Sequence, residues 1–254
     1  MNEPRGMFNK KGWQNIHIGT SGWHYDHWKG PFYPAKLPQT EMLSYYARHF
    51  QAVEINNSFY RLPGKETFAE WRKTVSRPFV FAVKASRYIT HMKKLKNPSE
   101  TVPPLLEAAR VLGAELGPIL FQLPPRWKAN PERLREFLNS LPDGFRYAFE
   151  FRDPSWFEAR VYEALNEMGA AFCIYDLAGC LSPKEVTADF IYIRLHGPAE
   201  AYQGQYDENT LAGWAGACSA WLKQVKEIYC FFDNDQAGYA AQDALRLQEM
   251  IEGE

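Results

Sequence analysis

The sequence predicts a closed parallel barrel of alternating strands and helices, the (β/α)8 or TIM-barrel-like class. Short apolar segments alternate with amphipathic helical segments along the chain, as in a parallel sheet with helical crossovers. Eight segments have strand character, and the chain of 254 residues has the usual length of one such barrel. Polar or charged residues stand at the carboxyl ends of these segments, where barrels of this class carry their sites.

The eight predicted strands share an apolar body and a polar or charged end. They are 16–21, 52–56, 79–84, 118–123, 147–152, 171–176, 191–196 and 228–233. Apolar residues at helical spacing predict helices between most of them, from 40–50 to 237–250. The connection after the sixth strand is short, which predicts a degenerate sixth helix, reduced to a turn around 183–186. An open doubly wound sheet is the alternative, but no Gly-x-Gly-x-x-Gly turn follows the first strand.

Composition narrows the class of protein. Residues 1–14 are polar and irregular and are interpreted as a leader, with one barrel domain over 15–254. The formal net charge of −1 argues against a globally basic coat for nucleic acid or a membrane surface. No run approaches the length of a membrane span and no signal-peptide core is present, so a cytoplasmic protein without a membrane partner is expected. The four cysteines lack Cys-x-x-Cys spacing and are interpreted as free thiols.

Strand parity predicts which side chains enter the barrel, because successive side chains point to opposite faces. The inward set is polar at the carboxyl ends: Glu54, Asn56, Lys84, Gln122, Glu150, Arg152, Arg194 and His196. Asp176 and Asp233 end two strands of ambiguous parity. We expect these side chains to converge in one pocket. The alternative interpretation is a ring of salt bridges that only closes the barrel top.

The mixture of charges favours an anionic polar ligand, such as a phosphate or carboxylate, over a divalent metal. Arg194 and His196 are expected to hold the anion, with the charge of Arg194 unshared in the empty pocket. Glu150 or Glu54 would serve as general acid or base in a hydrolysis or isomerisation. Lys84 is an alternative catalytic group, forming a Schiff base with a carbonyl substrate. No metal or cofactor is predicted, and the oligomeric state is left open.

The segment 84–96 carries six basic or titratable side chains and no acidic one. It is either a solvated loop or an electrostatic funnel for an anion. The alternative function is nucleic-acid binding, either non-catalytic or associated with repair. In that case this segment would contact phosphates and the aromatic side chains of the loops would stack on bases. Ser21, Trp23, Tyr60 and His91 complete the expected ligand contacts.

A set of short motifs resembles one known family. The motifs are Gly-Thr-Ser-Gly-Trp at 19–23, Trp-Lys-Gly-Pro-Phe-Tyr-Pro at 28–34, Val-Glu-Ile-Asn at 53–56, Phe-Tyr-Arg-Leu-Pro at 59–63, Ile-Thr-His at 89–91, Gln-Leu-Pro-Pro at 122–125, Glu-Phe-Arg at 150–152 and Arg-Leu-His-Gly at 194–197. They resemble the DUF72 (YecE-like) family from about residue 16 to the end. The resemblance implies a TIM-barrel-like fold and no particular activity. Ser58, Asp153 and Asp233 depart from the family pattern, which more often has threonine, histidine and asparagine there.

Overall fold

Parallel strands in the computed structural model, which describes residues 13–76 and 78–253, close into a barrel. The strands are β1 (Ile16–Ser21), β2 (Ala52–Ile55), β3 (Val80–Lys84), β4 (Leu116–Gln122), β5 (Tyr147–Glu150), β6 (Ala171–Leu177), β7 (Cys180–Leu181), β8 (Phe190–Leu195) and β9 (Glu227–Phe232). The pairing runs from β1 through β2, β3, β4, β5, β6 and β8 to β9, which pairs again with β1. The predicted fold class is confirmed. Residues 1–12 of the predicted leader lie outside the described residues.

Helices surround the barrel, and most of them lie where the apolar spacing predicts; the single turns at 57–60 and 98–101 were not predicted. They are α1 (Met42–Tyr46), α2 (Asn57–Tyr60), α3 (Lys65–Thr74), α4 (Pro98–Thr101), α5 (Pro103–Ala109), α6 (Pro131–Asn139), α7 (Ala159–Glu167), α8 (Glu208–Trp221) and α9 (Tyr239–Gly253). The helix predicted over 40–50 is shorter, because Gln39–Glu41 forms a 3-10 turn before α1. Asn130 caps α6 by accepting a hydrogen bond from the Arg133 amide at 2.8 Å.

The connection between β6 and β8 has no helix in residues 178–189, so the prediction of a degenerate sixth helix is confirmed. The turn expected at 183–186 is absent, because residues 182–187 have no regular secondary structure. β7 pairs antiparallel with the end of β6, and side-chain hydroxyls then continue the backbone pairing. The Tyr175 amide donates to Ser182 Oγ at 2.9 Å, and the Phe172 amide donates to Thr187 Oγ1 at 2.8 Å. These bonds satisfy backbone groups of β6 without a covering helix.

The barrel interior is filled by side chains of complementary size. Alanines on one side face aromatic rings on the other, together with a leucine and a cysteine: Ala52, Ala82, Leu120, Ala148, Ala171, Cys173, Phe190, Tyr192, Tyr229 and Phe231. A larger cluster fills the layer between strands and helices and includes Phe149 and Ile193. The interior is therefore packed rather than open, and ligands have access only at its ends.

A histidine closes the amino-terminal end of the barrel. The His17 ring stacks on Tyr229 with centroids 4.7 Å apart, and its Nε2 is buried without a hydrogen-bond partner in the described chain. Burial, and then the charge of Arg146, lower the pKa of His17 to about 4. Glu227 lies 3.7 Å from Nε2, but the same carboxylate pairs with Arg146, so its attraction is largely cancelled. His17 is thus held neutral in the folded protein near neutral pH.

This geometry predicts acid sensitivity that depends on one side chain. The unfolded chain binds a proton at His17 near pH 6.5 and the folded chain only near 4, so stability is full above 6.5 and falls between these values. The loss reaches roughly 3 kcal/mol at most. His17→Phe keeps the ring stack and removes this loss. Urea unfolding from about pH 7 to about pH 4 measures it. His24→Phe, at an exposed position, is the matched control, and equal acid sensitivity of wild type and His17→Phe would contradict the assignment.

Candidate functional site

Arg194, at the end of β8, is the centre of the carboxyl-terminal mouth of the barrel and is fully buried. Its Nε and Nη2 donate to the two oxygens of Glu54 at 3.0 and 2.7 Å. Its Nη1 donates to Glu150 Oε2 at 2.8 Å, and Nη2 also donates to Asp233 Oδ2 at 3.0 Å. One guanidinium therefore joins carboxylates from β2, from β5 and from the residue after β9.

Neutral hydroxyl groups complete the coordination of Glu54. Ser21 Oγ, at the end of β1, donates to Glu54 Oε1 at 2.7 Å. Tyr192 lies two residues before Arg194 on β8, on the same face of the strand, and its hydroxyl donates to Glu54 Oε2 at 2.7 Å. With the bidentate contact from Arg194, each oxygen of this buried carboxylate accepts two hydrogen bonds, which offsets its loss of water.

A second arginine and a histidine extend the cluster towards β5. Arg152 Nε pairs with Glu150 Oε1, and Arg152 Nη2 lies 2.9 Å from His196 Nε2. A guanidinium can only donate, so His196 Nε2 is the acceptor and Nδ1 carries the ring hydrogen. Nδ1 then donates to Asp233 Oδ2 at 2.9 Å. We call the eight connected side chains the arginine network: Ser21, Glu54, Glu150, Arg152, Tyr192, Arg194, His196 and Asp233.

The arginine network holds Glu150 and Asp233 ionised. Burial alone would raise the pKa of Glu150, but Arg152 and Arg194 hold it well below its usual range. Burial likewise opposes ionisation of Asp233, whose pKa is nevertheless lowered by Arg194 and by the hydrogen bond from His196. Arg194 in turn has its pKa raised, because the attraction of Glu54 and Glu150 outweighs its burial. These groups stay charged through mutual pairing.

The expectation of an unshared charge on Arg194 is wrong. Its N–H groups are engaged by protein acceptors, so the alternative interpretation, a ring of salt bridges, describes this residue. Glu54 and Glu150 are equally enclosed, each fully buried and bonded through both oxygens. The geometry favours a structural role for these three side chains and leaves the chemistry to their neighbours.

Three neighbouring strand ends carry polar side chains that have no hydrogen-bond or ion-pair partner among the described residues. We call Asn56, Lys84 and Gln122, after β2 and at the ends of β3 and β4, the open edge. Within the described residues none of these side chains has a hydrogen bond or ion pair, and the Asn56 Oδ1 atom is buried. Lys84 is 9% exposed, and its Nζ lies 4.6 Å from the centroid of the Phe59 ring. The mouth is therefore satisfied on one side and unsatisfied on the other.

The amine of Lys84 is electrostatically unusual. Burial lowers its pKa, as does Arg194, and the carboxylates Glu54, Asp233 and Glu150 compensate only in part, leaving a value of about 8. His91 stands beside it in a π-helical turn (Tyr88–Met92), with its ring edge-on to Phe59 at 5.1 Å. Its pKa is lowered by burial and then by the charge of Lys84.

The remaining predicted site residues lie elsewhere. Trp23 is buried against Trp71 of α3, with ring centroids 5.1 Å apart, so it is part of the helix layer. The expectation that Asp176 lies at the mouth is wrong. Cys173, three residues earlier on β6, faces the interior, and because side chains alternate along a strand Asp176 faces the outer side, near Tyr206. Tyr60 is 75% exposed and borders a surface groove of about 490 Å³ in the β2–α3 connection.

Sequence reasoning missed two members of the site and left three roles open. Tyr192 was not among the expected site residues, although its spacing of two from Arg194 places both on one face. Phe59, which covers Lys84, belongs to the motif at 59–63, and that motif does not indicate which way its side chains point. Of the unusual positions, Ser58 Oγ donates to the Lys84 carbonyl at 2.6 Å, which supports the end of β3. Asp153 caps a 3-10 turn by accepting from the Ser155 amide at 3.1 Å, and Asp233 joins the arginine network.

Among residues 13–76 and 78–253, no group of three or more His, Cys, Asp or Glu side chains is arranged to hold a metal ion. In the same part of the chain no helix combines the length and apolar character of a membrane span.

The fold and mouth define a (β/α)8-barrel protein whose carboxyl-terminal end is built around a buried arginine. The chain belongs to the family described as "Protein of unknown function DUF72", which matches residues 17–254. It is similar to the UPF0759 protein YunF of Bacillus subtilis, 26% identical over 273 residues that cover 93% of this chain and 95% of YunF. The UPF0759 protein YecE of Escherichia coli K12 is 31% identical over 167 residues, 63% of this chain and 59% of YecE.

A solved structure gives the same result for the fold. The crystal structure of a DUF72 family protein from Thermotoga maritima has a TM-score of 0.80 and 31% identity to this chain. The match covers 93% of this chain and 99% of that chain. The resemblance inferred from the motifs is confirmed.

The network predicts a large stability loss when its centre is removed. Arg194→Met leaves Glu54, Glu150 and Asp233 buried without their shared partner, and we expect a loss of about 3–5 kcal/mol in the free energy of unfolding. Chemical denaturation measures it. Arg160→Met is the matched control, because Arg160 and its partner Glu132 are both 65% exposed and the change should stay within about 0.5 kcal/mol. Similar stability of the two variants would show that the buried cluster is dispensable.

Proposed function

We propose that the protein binds a small anionic polar molecule at the carboxyl-terminal mouth of the barrel, with Lys84 as the charged contact. The observation that carries this proposal is Lys84, a residue that is nine-tenths buried and whose Nζ has no hydrogen-bond or ion-pair acceptor in the described chain. A buried charge without a partner is costly. An anion from solution would supply the partner that the protein does not.

The surrounding charges support an anion at this place. The carboxylates nearest to Lys84 are already shared with Arg194 and Arg152, so their attraction for further cations is reduced. Above the mouth, Arg87, Lys94 and Lys96 are exposed in the basic segment. Clustered charges of one sign at the rim of a concave site raise the local concentration of the opposite sign.

The neutral members of the open edge narrow the ligand further. Asn56 Oδ1 is a buried acceptor, so it favours a ligand that presents a hydroxyl or amide hydrogen. Gln122 offers both a donor and an acceptor. A hydroxylated phosphate or a hydroxylated carboxylate combines these requirements. A hydrolysis or isomerisation at this site would use Lys84, whose pKa of about 8 suits proton transfer near neutral pH, rather than Glu54 or Glu150.

Replacing Lys84 should separate stability from binding. The pKa of Lys84 falls from 10.5 to about 8 on folding, so the penalty of roughly 3 kcal/mol is full below pH 8 and fades as pH rises to 10.5. We therefore expect Lys84→Met to equal or exceed the wild type in stability near pH 7 and to lose this advantage at higher pH. Inorganic phosphate should stabilise the wild type, because it binds only the folded state, and should not stabilise Lys84→Met.

Denaturation of both proteins with and without phosphate gives the measurement. Lys226→Met is the matched control, since Lys226 is 74% exposed and far from the mouth in the Lys226–Asp189 surface pair. It should keep the phosphate response of the wild type. An unchanged phosphate response in Lys84→Met would reject Lys84 as the anion contact.

A second candidate function is the binding of single-stranded nucleic acid. The observation that favours it is the exposure of Tyr60 and Tyr88, 75% and 45%, beside the basic segment. Stacked bases contribute about 1–3 kcal/mol each, and phosphate contacts make binding strongly salt-dependent. This candidate predicts that a labelled oligonucleotide binds with a steep salt dependence and that Tyr88→Ala weakens binding at every salt concentration. Binding that is weak and insensitive to Tyr88→Ala would remove this candidate.

A further inference from the structure

We infer that Lys84 is a reactive amine that forms an imine with an aldehyde or ketone group of the anionic molecule. The inference rests on the proposed function, since it concerns the same mouth, and it names the substrate class as carbonyl compounds that carry a carboxylate or phosphate. Amines of lysine become nucleophilic in proteins when burial or neighbouring cations favour their neutral form.

The arrangement of charges frees Lys84 for this chemistry. A buried lysine is usually held as an ammonium by a carboxylate. Here the carboxylates of Glu54 and Glu150 are engaged by Arg194 and Arg152, so loss of the proton from Lys84 orphans no acid. The Phe59 ring covers one side of the amine, with its centroid 4.6 Å from Nζ in cation–π geometry.

Charged and titratable groups from several elements act on the amine. They are Glu54 on β2, Glu150 on β5, Arg194 on β8, Asp233 after β9 and His91 after β3. Burial and Arg194 prevail over the acids and bring the pKa of Lys84 to about 8. At pH 7.5 roughly a quarter of the molecules then carry the free amine, about two orders of magnitude more than for an ordinary lysine.

The reaction balances without an oxidant or reductant. The Nζ lone pair attacks the carbonyl carbon, a C–N bond forms, and the C=O π electrons move to oxygen. One proton passes from nitrogen to that oxygen and gives a carbinolamine. The nitrogen lone pair then expels the hydroxyl group, which takes up a proton from solvent and leaves as water. The protonated C=N group that remains returns one proton to solvent, so the net change is the loss of one water molecule.

Two residues near Lys84 can carry out the proton transfers and hold the anionic end of the molecule. His91 is half-buried beside Lys84, and burial followed by Lys84, Arg87 and Arg152 lowers its pKa, so its ring is available to carry protons between nitrogen and oxygen. Arg152 uses Nε and Nη2 within the arginine network, and its Nη1 has no acceptor in the described chain. This group can meet the anionic end of the molecule while Lys84 is occupied by the imine.

Reductive trapping tests the inference on the wild-type protein. Glyoxylate and glycolaldehyde are aldehydes of similar size, and only glyoxylate carries a carboxylate. Each is incubated with the protein and cyanoborohydride, which reduces an imine to a stable secondary amine, and labelled lysines are mapped by peptide mass spectrometry. We expect glyoxylate to label Lys84 at least roughly tenfold faster than exposed Lys226, with a rate that rises with pH and levels off above about 8.

Variants and competition separate this inference from the proposed function. Lys84→Met should lose the fast label and His91→Gln should slow labelling of Lys84, while Lys226→Met, at the exposed surface pair, should leave both the fast label and the phosphate response unchanged. Labelling of Lys84 no faster than Lys226, in a protein that phosphate stabilises through Lys84, would overturn the imine and leave the anion site standing. Equal fast labelling by both aldehydes, without competition from phosphate, would support the imine and reject the anion site.

Discussion

The buried guanidinium of Arg194 is the interaction on which the mouth of this barrel depends. Its charge is tolerated away from water only because Glu54, Glu150 and Asp233 surround it, and these acids come from strands that are distant in sequence. The acids reach one guanidinium only when the sheet has closed, through the pairing of β9 with β1. Neutralisation of the Arg194 charge therefore requires the closed barrel.

This arrangement divides the mouth between two tasks. Around Arg194, charged side chains from β2, β5 and β8 and Asp233 after β9 saturate one another and contribute to stability. At the open edge, Asn56, Lys84 and Gln122 keep hydrogen-bonding capacity that the described protein does not use. A ligand can add binding free energy only at groups that are still unsatisfied, because a saturated ion pair must first be broken. A ligand therefore gains the most binding free energy at the open edge, which includes Lys84.

Much of this arrangement was predictable from alternation along each strand. On β5 and β8 the apolar residues that face the helices are regular, so Glu150 and Arg194 were correctly assigned to the interior. On β6 almost every residue is apolar, which gave no direction for Asp176, and the structure turns it away from the mouth. Trp23 was misleading for a related reason, because a large aromatic ring after a strand suits a pocket wall and a helix layer equally well.

The sequence by itself determined the barrel, its strands, the degenerate sixth helix and the inward direction of most polar residues, since each depends on local periodicity and chain length. The tertiary structure alone decided which charges are satisfied. Whether Arg194 or Lys84 remains without a partner depends on which strands lie close enough across the barrel for contacts of about 3 Å, and on side-chain reach. Nothing local to either residue encodes that difference, because both are cations at the end of a strand.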